Sequence, residues 1–178
     1  VKTPFGSAAV LKVNEDGTVD LLTSTTEVGQ GANTILCQIA AEELGTPFSW
    51  VRKIEPDTAT TPYDTSTTSS RSSFHMGNAV KAAAADAKEQ IIKLAAPLLK
   101  TDVAELAIKE GNVYVKENTG NFLSIAQVLG KHFGHSATVL GRGFYYPQLE
   151  APFDPNLRIF WLLGAHGVEV EVMNLSTI

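Results

Sequence analysis

Cysteine is almost absent from this sequence, which carries one such residue, Cys37, among 178. A single thiol cannot form an intrachain disulfide, and it cannot supply the several thiolates that an iron–sulfur cluster requires. The chain by itself therefore excludes both kinds of site. Cys37 falls in a predicted helix where no basic neighbour is placed to lower its pKa, and this predicts a buried structural thiol.

Basic residues and long apolar runs are also scarce. The formal net charge is −5, which disfavours a nucleic-acid partner because such a partner needs a basic surface. No apolar run approaches the roughly 20 residues that span a membrane. The first residues also lack the basic-then-apolar pattern of a secretion signal. We therefore expect a cytoplasmic protein with neither a nucleic-acid nor a membrane partner.

Several motifs that would identify a catalytic class are missing. Gly29-Gln30-Gly31 is followed by Thr34 where a dinucleotide-binding motif has its third glycine, and no Gly-x-Ser-x-Gly pentapeptide occurs. His132 and His135 lie three apart around a glycine, a poor spacing for a metal site, so exposed histidines are expected there. His75 borders a polar loop without an assigned role, and His166 is predicted to be structural.

The size and composition fit a folded domain. Hydrophobic residues make up 44% of the chain and charged residues 19%, which is enough apolar material for a sizeable core. A length of 178 residues fits one domain, so we predict a single domain over residues 1–178. The sequence opens on Val1 and stops at Ile178 soon after a strong strand pattern, so we expect a fragment of a longer polypeptide.

Alternating and β-branched runs predict the strands. Residues 8–13 and 18–23 form a hairpin through an Asp-Gly turn, and residues 106–109 and 113–116 form a second one. Residues 50–54 make another strand. Residues 141–148 are aromatic and glycine-rich, residues 152–155 form a turn, and residues 159–172 form a half-buried final strand with its acids facing solvent.

Helical periodicity marks three helices. One runs from about Asn33 to Leu44 and another over residues 77–96, where Pro97 ends it. Ser124 and Gln127 have capping-box spacing and start a short third helix that ends near Leu129. The resulting order, β-β-α-β-loop-α-β-β-α-β, predicts an α+β fold with a mixed sheet, hairpins and two main helices packed on the sheet.

The segment 26–31, here called the glycine loop, connects the second strand to the first helix. A glycine on each side of Gln30 permits a sharp turn and close approach of a ligand. The unsatisfied N–H groups at the start of the helix predict an anion site. The Gln30 amide can donate and accept at once, which suits a heterocycle with mixed edges. An ordinary tight strand-to-helix connection explains the same residues.

A second polar segment, residues 56–73, is rich in threonine and serine and is here called the hydroxyl loop. It could be a flexible surface linker. It could also offer hydroxyls and backbone amides to a phosphate-bearing ligand, with Arg71 adding charge-assisted hydrogen bonds. Since each loop precedes a helix, the pair favours one shared anionic ligand.

Taken together, these stretches resemble the molybdenum hydroxylase family, which includes xanthine dehydrogenases, aldehyde oxidoreductases and hydroxybenzoyl-CoA reductases. The resemblance rests on residues 27–31, 62–64, 69–72, 77–80, 143–145 and 167–172, in family order and spacing. It implies the fold of the family's molybdenum-cofactor-binding domain. It also implies that Gly29, Gln30 and Gly31 contact the dinucleotide form of molybdopterin. Ser70 and Ser72 would hold the pterin, and Thr68 and Ser69 would lie towards the substrate; Arg71 as a cofactor contact is our inference from its charge.

The resemblance also implies a function for the intact parent. Such an enzyme hydroxylates a purine, another heteroaromatic compound or an aldehyde with water-derived oxygen, using molybdenum, iron–sulfur and FAD groups. The partners expected here are the remainder of the molybdopterin subunit and iron–sulfur and flavin modules. The family's catalytic glutamate in a Gly-Glu-Pro-type stretch and its earlier Gly/Phe-containing loop are missing from this sequence. Glu27 does not replace that glutamate, so we expect no catalytic residue and no turnover from this segment alone.

Two alternatives remain open from the sequence. One is a stand-alone module that binds a pterin or nucleotide without catalysis. The other is part of an enzyme similar to hydroxybenzoyl-CoA reductase, which belongs to the same family and differs in its substrate channel.

Overall fold

The computed structural model describes residues 6–68, 70–134, 137–147 and 167–170. The chain divides into two compact units, Val1–Gln148 and Leu149–Ile178. Of the second unit, residues 167–170 are described; they are in no strand, and Val168 and Val170 are 86% and 75% exposed. The prediction of a half-buried strand is therefore wrong for these four residues, because an alternating pattern needs an apolar surface to cover its valines. The rest of segment 159–172, the 152–155 turn and His166 lie outside the described residues.

The described part of the first unit contains seven strands and three α-helices. The strands are β1 (Ser7–Val13), β2 (Val19–Leu22), β3 (Val51–Ile54), β4 (Leu106–Lys109), β5 (Asn112–Val115), β6 (Asn118–Ser124) and β7 (Val139–Tyr145). The helices are α1 (Ala32–Leu44), α2 (Gly77–Leu99) and α3 (Ile125–Phe133). A π-helix, Ser72–Met76, leads directly into α2. None of the described helices is long and apolar enough to cross a membrane.

Two sheets organise these strands. The larger has the order β3-β2-β1-β7, with β2 and β3 parallel and the other neighbours antiparallel. The smaller is the antiparallel sheet β4-β5-β6. The α+β class with a mixed sheet, its hairpins and its two main helices is therefore confirmed. The core lies between the larger sheet and helices α1 and α2, where Leu11, Leu21 and Leu36 are fully buried.

Helix α2 packs unusually close to strand β7. A Cβ atom on Gly143 would lie 1.9 Å from the Ala79 carbonyl oxygen, and one on Gly141 would lie 2.1 Å from that of Ala83. Only hydrogen at these positions permits such an approach. The glycines of segment 141–148 therefore serve helix–strand packing, and the alanines of α2 form the complementary surface.

Some elements differ from the predictions. Helix α2 continues through Pro97 to Leu99, and Lys100 caps its end with a left-handed conformation. Burial of Ala95, Ala96 and Leu99 offsets the N–H donor that the proline lacks. Helix α3 continues beyond Leu129 to Phe133 and ends at Gly134. Strands β6 and β7 were not predicted. The first residues of β6 are polar and exposed and show no apolar alternation, and β7 lies mostly in the segment 141–148, which is predicted only to be aromatic and glycine-rich.

Other local predictions are confirmed. Helix α1 occupies the predicted span and ends at Gly45, which has a positive φ of 84°. Ser124 and Gln127 form the complete capping box of α3. Cys37 is buried, 5% exposed, and burial raises the pKa of its thiol, which keeps it in the unreactive form.

Candidate functional site

The glycine loop folds around the carboxylate of Glu27. One oxygen accepts hydrogen bonds from the N–H groups of Gly29 and Gly31, both at 2.9 Å, and the other accepts from that of Asn33 at 3.0 Å. The amides of Asn33 and then Gly31 lower the pKa of this carboxyl below its ordinary value. The anion site predicted at the start of α1 is thus occupied by the chain's own side chain, a correction that follows from Glu27 lying within reach of those amides.

The Gln30 side chain folds back over the same loop. Its Oε1 accepts a hydrogen bond from the Val28 N–H at 2.7 Å, and its Nε2 donates to the Thr26 carbonyl at 3.1 Å. An amide has two acceptor lone pairs and two donor hydrogens, so one of each is left for another group. The side chain is exposed. Gln30 can therefore contact a ligand without giving up the bonds that orient it.

The flanking glycines leave the loop surface open. Gly29 and Gly31 have φ angles of 95° and 77°, in the left-handed region that glycine adopts without strain. A Cβ atom on either residue would meet no described atom within 4 Å. The backbone here is accessible to a ligand, as the sequence predicts for glycines that flank a contact residue.

Hydrogen bonds join the two polar loops. The Thr67 hydroxyl accepts from the Thr26 N–H at 2.9 Å and from the Thr26 hydroxyl at 3.1 Å. Just before the glycine loop, the Ser24 hydroxyl donates to the Pro62 carbonyl within the hydroxyl loop and approaches the Thr61 hydroxyl at 3.3 Å. The two segments that the sequence singles out separately therefore form one continuous polar surface.

The hydroxyl loop closes on a buried ion pair. Nη2 of Arg71 lies 2.8 Å from Oδ1 of Asp64, and the two side chains are 2% and 4% exposed. Ser7 at the start of β1 donates its hydroxyl to the same Asp64 oxygen at 3.0 Å and accepts from Arg71 at 3.2 Å. Nη1 of Arg71 lies 3.1 Å from Nδ1 of His75. Arg71 is therefore bound to groups of this chain and is buried, where the sequence suggested a ligand contact.

The other predicted contact residues of the hydroxyl loop lie near this pair in the sequence: Thr68 and Ser70 fall between Asp64 and Arg71, and Ser72 follows Arg71. Thr68 and Ser70 are exposed, and Ser72 is half-buried at the start of the π-helix. Ser70 has a φ of 59°, a left-handed conformation that is uncommon for a serine. Ser69 lies outside the described residues. π-helical turns are frequent at functional sites, which agrees with the position of this one beside the two loops.

Two buried polar atoms flank the glycine loop. Oγ1 of Thr23, immediately after β2, and Oδ1 of Asn33, in the first turn of α1, have no hydrogen-bond partner among the described residues. Buried polar atoms of folded proteins are nearly always satisfied. Because both atoms are buried, a bound water is the kind of group that could satisfy them.

Some of these residues could not be found from the sequence. Asp64, Ser7 and His75 meet Arg71 in space, and Ser7 is separated from Arg71 by 64 positions. The only local signal is the spacing of His75 four residues after Arg71, which places both on one helical face. Within the described residues, no group of three or more His, Cys, Asp or Glu side chains could hold a metal ion. His132 is exposed and contacts the Phe133 ring, and His135 lies outside the described residues.

Comparison with known proteins gives consistent matches. A sequence model described as a molybdopterin cofactor-binding domain matches residues 1–177. The putative xanthine dehydrogenase molybdenum-binding subunit of Escherichia coli is 38% identical over 112 residues, which cover 62% of this chain and 15% of that protein. The carbon monoxide dehydrogenase large chain of Hydrogenophaga pseudoflava is 29% identical over 149 residues, covering 80% of this chain and 19% of that one.

The fold has solved counterparts. The crystal structure of quinoline 2-oxidoreductase from Pseudomonas putida 86 matches with a TM-score of 0.69 and 27% identity, covering 79% of this chain and 19% of that one. The Cu,Mo-CO dehydrogenase structure matches with a TM-score of 0.68 and 26% identity, covering 80% and 18%. The chain thus spans less than a fifth of the length of each of these relatives.

Proposed function

The chain belongs to the molybdopterin cofactor-binding domain family, and from this premise we propose that its two polar loops form one wall of a molybdopterin site in a larger oxidoreductase. The observation that carries this proposal is the direct contact between the loops, in which the Thr67 hydroxyl accepts two hydrogen bonds from Thr26. A ligand that extends across both loops would meet amide, hydroxyl and backbone groups on one continuous surface.

On the glycine loop, we assign the contact to Gln30, flanked by Gly29 and Gly31. The remaining donor and acceptor of its amide suit the mixed edge of a pterin or of a nucleotide base. The open space beside both glycines lets backbone approach the ligand.

On the hydroxyl loop, we assign contacts to Thr68, Ser69, Ser70 and Ser72. Thr68 and Ser70 are exposed, so their hydroxyls can reach a ligand. Arg71 is 2% exposed and bound to Asp64, which fits support of the loop better than direct contact with the cofactor. Glu27 already occupies the N–H groups at the start of α1, so a phosphate of the dinucleotide form would bind elsewhere on the two loops or would displace that carboxylate.

The activity of the parent protein follows as a further part of the proposal. The molybdenum group, when bound, takes up the electrons released by oxidation of the substrate. The relatives are named for xanthine, nicotine and carbon monoxide, and an aldehyde oxidase is among them, so we propose a hydroxylase of a heteroaromatic compound or an aldehyde. Iron–sulfur and FAD modules would receive the electrons, the rest of the molybdopterin subunit would complete the site, and the cytoplasm is the proposed location.

The proposal can be tested on the full-length subunit that contains this segment. Gln30→Ala and Ser70→Ala should each lower the molybdenum and pterin content of the purified protein several-fold, and the double variant should lower it further. Molybdenum is measured by elemental mass spectrometry and pterin by fluorescence after oxidative release. Gln38→Ala, at an exposed glutamine of α1 outside both loops, is the matched control and should retain wild-type content.

Full cofactor content in the double variant would refute the assignment of these loops. Retention of a pterin or nucleotide without molybdenum, and without any oxidation of the relatives' substrates, would instead support the stand-alone binding module.

A further inference from the structure

Asp64 and Arg71 close the part of the hydroxyl loop that carries most of the proposed contacts. Their ion pair joins the two ends of segment 65–70 at 2.8 Å, with both side chains almost fully buried. The Arg71 N–H also donates to the Thr68 carbonyl at 3.0 Å, which makes a tight turn inside the closed segment. A long polar segment that would otherwise behave as a linker is thus reduced to a short loop with a fixed base.

The ion pair is attached directly to two elements of the core, strand β1 and the π-helix, and through them to β7. Ser7 hydrogen-bonds to both members of the pair and belongs to β1, where it pairs with Tyr145 of β7. His75 contacts Arg71 from the π-helix that leads into α2, and its ring packs edge-on against that of Tyr145. The base of the loop is therefore connected to the sheet and to the helix that covers it.

Two features of the loop require such a base. Ser70 holds a left-handed conformation with a φ of 59°, which a serine keeps only where its surroundings impose it. Thr67, inside the closed segment, accepts the hydrogen bonds from Thr26 that connect the glycine loop. A displacement of the Asp64–Arg71 pair would therefore move the contact residues of both loops.

We infer that Asp64, Arg71 and Ser7 are positioning residues, which hold the hydroxyl loop, and through Thr67 the glycine loop, in one conformation for cofactor binding. The role in cofactor binding rests on the proposed function, whereas the holding of the two loops by these three residues does not depend on it. A pair that served general stability alone would loosen the whole unit when altered. A positioning pair loosens the two loops first and leaves the sheet and α2 intact.

The test uses Asp64→Asn, Arg71→Lys and Ser7→Ala in the full-length subunit, prepared without cofactor. In the Asp64→Asn and Ser7→Ala variants, trypsin should cleave after Arg71 at least ten times faster than in the wild type, because the side chain must leave its buried position to enter the protease. In all three variants, the amide of Thr26 should exchange with solvent several times faster, while those of β1 and α2 exchange as in the wild type.

A matched control is Lys93→Gln, which breaks an exposed ion pair with Glu89 on α2 and should leave both measurements unchanged. Ser7→Ala and Arg71→Lys retain a charge-balanced pair, so they decide the question if Asp64→Asn does not fold. The inference would be overturned if the Thr26 amide exchanged at the wild-type rate in both Ser7→Ala and Arg71→Lys and if trypsin cleaved Ser7→Ala after Arg71 no faster than the wild type. Equal acceleration over β1, α2 and the loops would overturn it too.

Cofactor content, measured on a second preparation of each variant that is expressed and purified with its cofactor, separates the two proposals. Faster exchange at Thr26 together with a several-fold loss of molybdenum and pterin supports both. Faster exchange with full cofactor content supports the positioning of the loops and contradicts the proposed function, whereas lost cofactor with unchanged exchange contradicts the positioning role alone.

Discussion

The glycine loop and the hydroxyl loop lie against each other, yet they are held in different ways. The glycine loop is exposed, and its own Glu27 and Gln30 side chains bind backbone groups no more than six positions away. The hydroxyl loop is held at its base by a buried ion pair and by Ser7, which is 64 positions from Arg71. The internal conformation of the glycine loop depends on its own sequence. The conformation of the hydroxyl loop depends on the core, and so does the placement of the glycine loop against it through Thr67.

This difference predicts how each loop responds to change. Bonds between exposed groups compete with water, so losing one has a small effect on stability. A buried charge that loses its partner keeps its full desolvation cost. The hydroxyl loop should therefore be sensitive to single substitutions in the core, whereas the glycine loop should respond mainly to changes in its own backbone and in pH.

The largest effect is expected from Asp64→Ala. It leaves the Arg71 guanidinium buried without its carboxylate partner, and breaking a buried pair in this way costs about 3–5 kcal/mol. The free energy of opening of the loops, measured by native-state hydrogen exchange at the Thr26 amide, should fall by up to that amount. Glu89→Ala removes an exposed partner of Lys93 and should cost about 0.5 kcal/mol or less. Equal losses in the two variants would show that the hydroxyl loop is not held from the core.

A smaller effect is expected from Gly31→Ala. The new methyl group meets open space, so the cost comes from the φ of 77° and should be about 1–2 kcal/mol. Gly130→Ala is the control, because Gly130 lies within α3 with open space beside it and alanine favours a helix by about 0.5–1 kcal/mol. In urea unfolding, the free energy of unfolding should fall for Gly31→Ala and rise for Gly130→Ala. An unchanged free energy in Gly31→Ala would argue against the left-handed turn.

Thr67→Val should separate the two loops at a modest cost. It removes the hydroxyl that accepts from Thr26, a loss of about 0.5–1.5 kcal/mol. Exchange of the Thr26 amide should accelerate, while the amides bound to Glu27 stay protected because that carboxylate is untouched. Thr60→Val changes an exposed threonine of the same loop and should have no effect on Thr26.

The smallest effect concerns the pH dependence of Glu27. The bonds from Asn33 and Gly31 lower its pKa in the folded state, so its contribution to stability is fully present above the ordinary glutamate pKa. That contribution is lost as the pH falls through the lowered value. An NMR titration should show the Gly31 and Asn33 amide signals shifting together at a pH below the ordinary glutamate range. A midpoint within or above that range would contradict the bonding of Glu27 to the helix start.

Much of the fold could be predicted because its signals are local. The capping box of Ser124, the end of α1 at Gly45 and the strand patterns each depend on residues within a few positions. Strand β6 was missed because its outer residues are polar, and strand β7 was missed because its glycines weaken the strand pattern; they form by pairing with β5 and β1. The extension of α2 through Pro97 was missed because the packing of its last turn in the core, which offsets the missing N–H donor, is a tertiary effect.

For the site, the two polar segments and the residues that shape the glycine loop could be recognised in the chain alone, since glycine conformation and short-range hydrogen bonds need no distant partner. The bonds from Glu27 to the start of α1 are equally local, although the sequence pattern predicts an external anion there. The contact of Thr67 with the glycine loop and the burial of Arg71 against Asp64 and Ser7 arise only in the folded chain. Burial of a charge and contact between distant segments exist only after the sheet and α2 have closed around them.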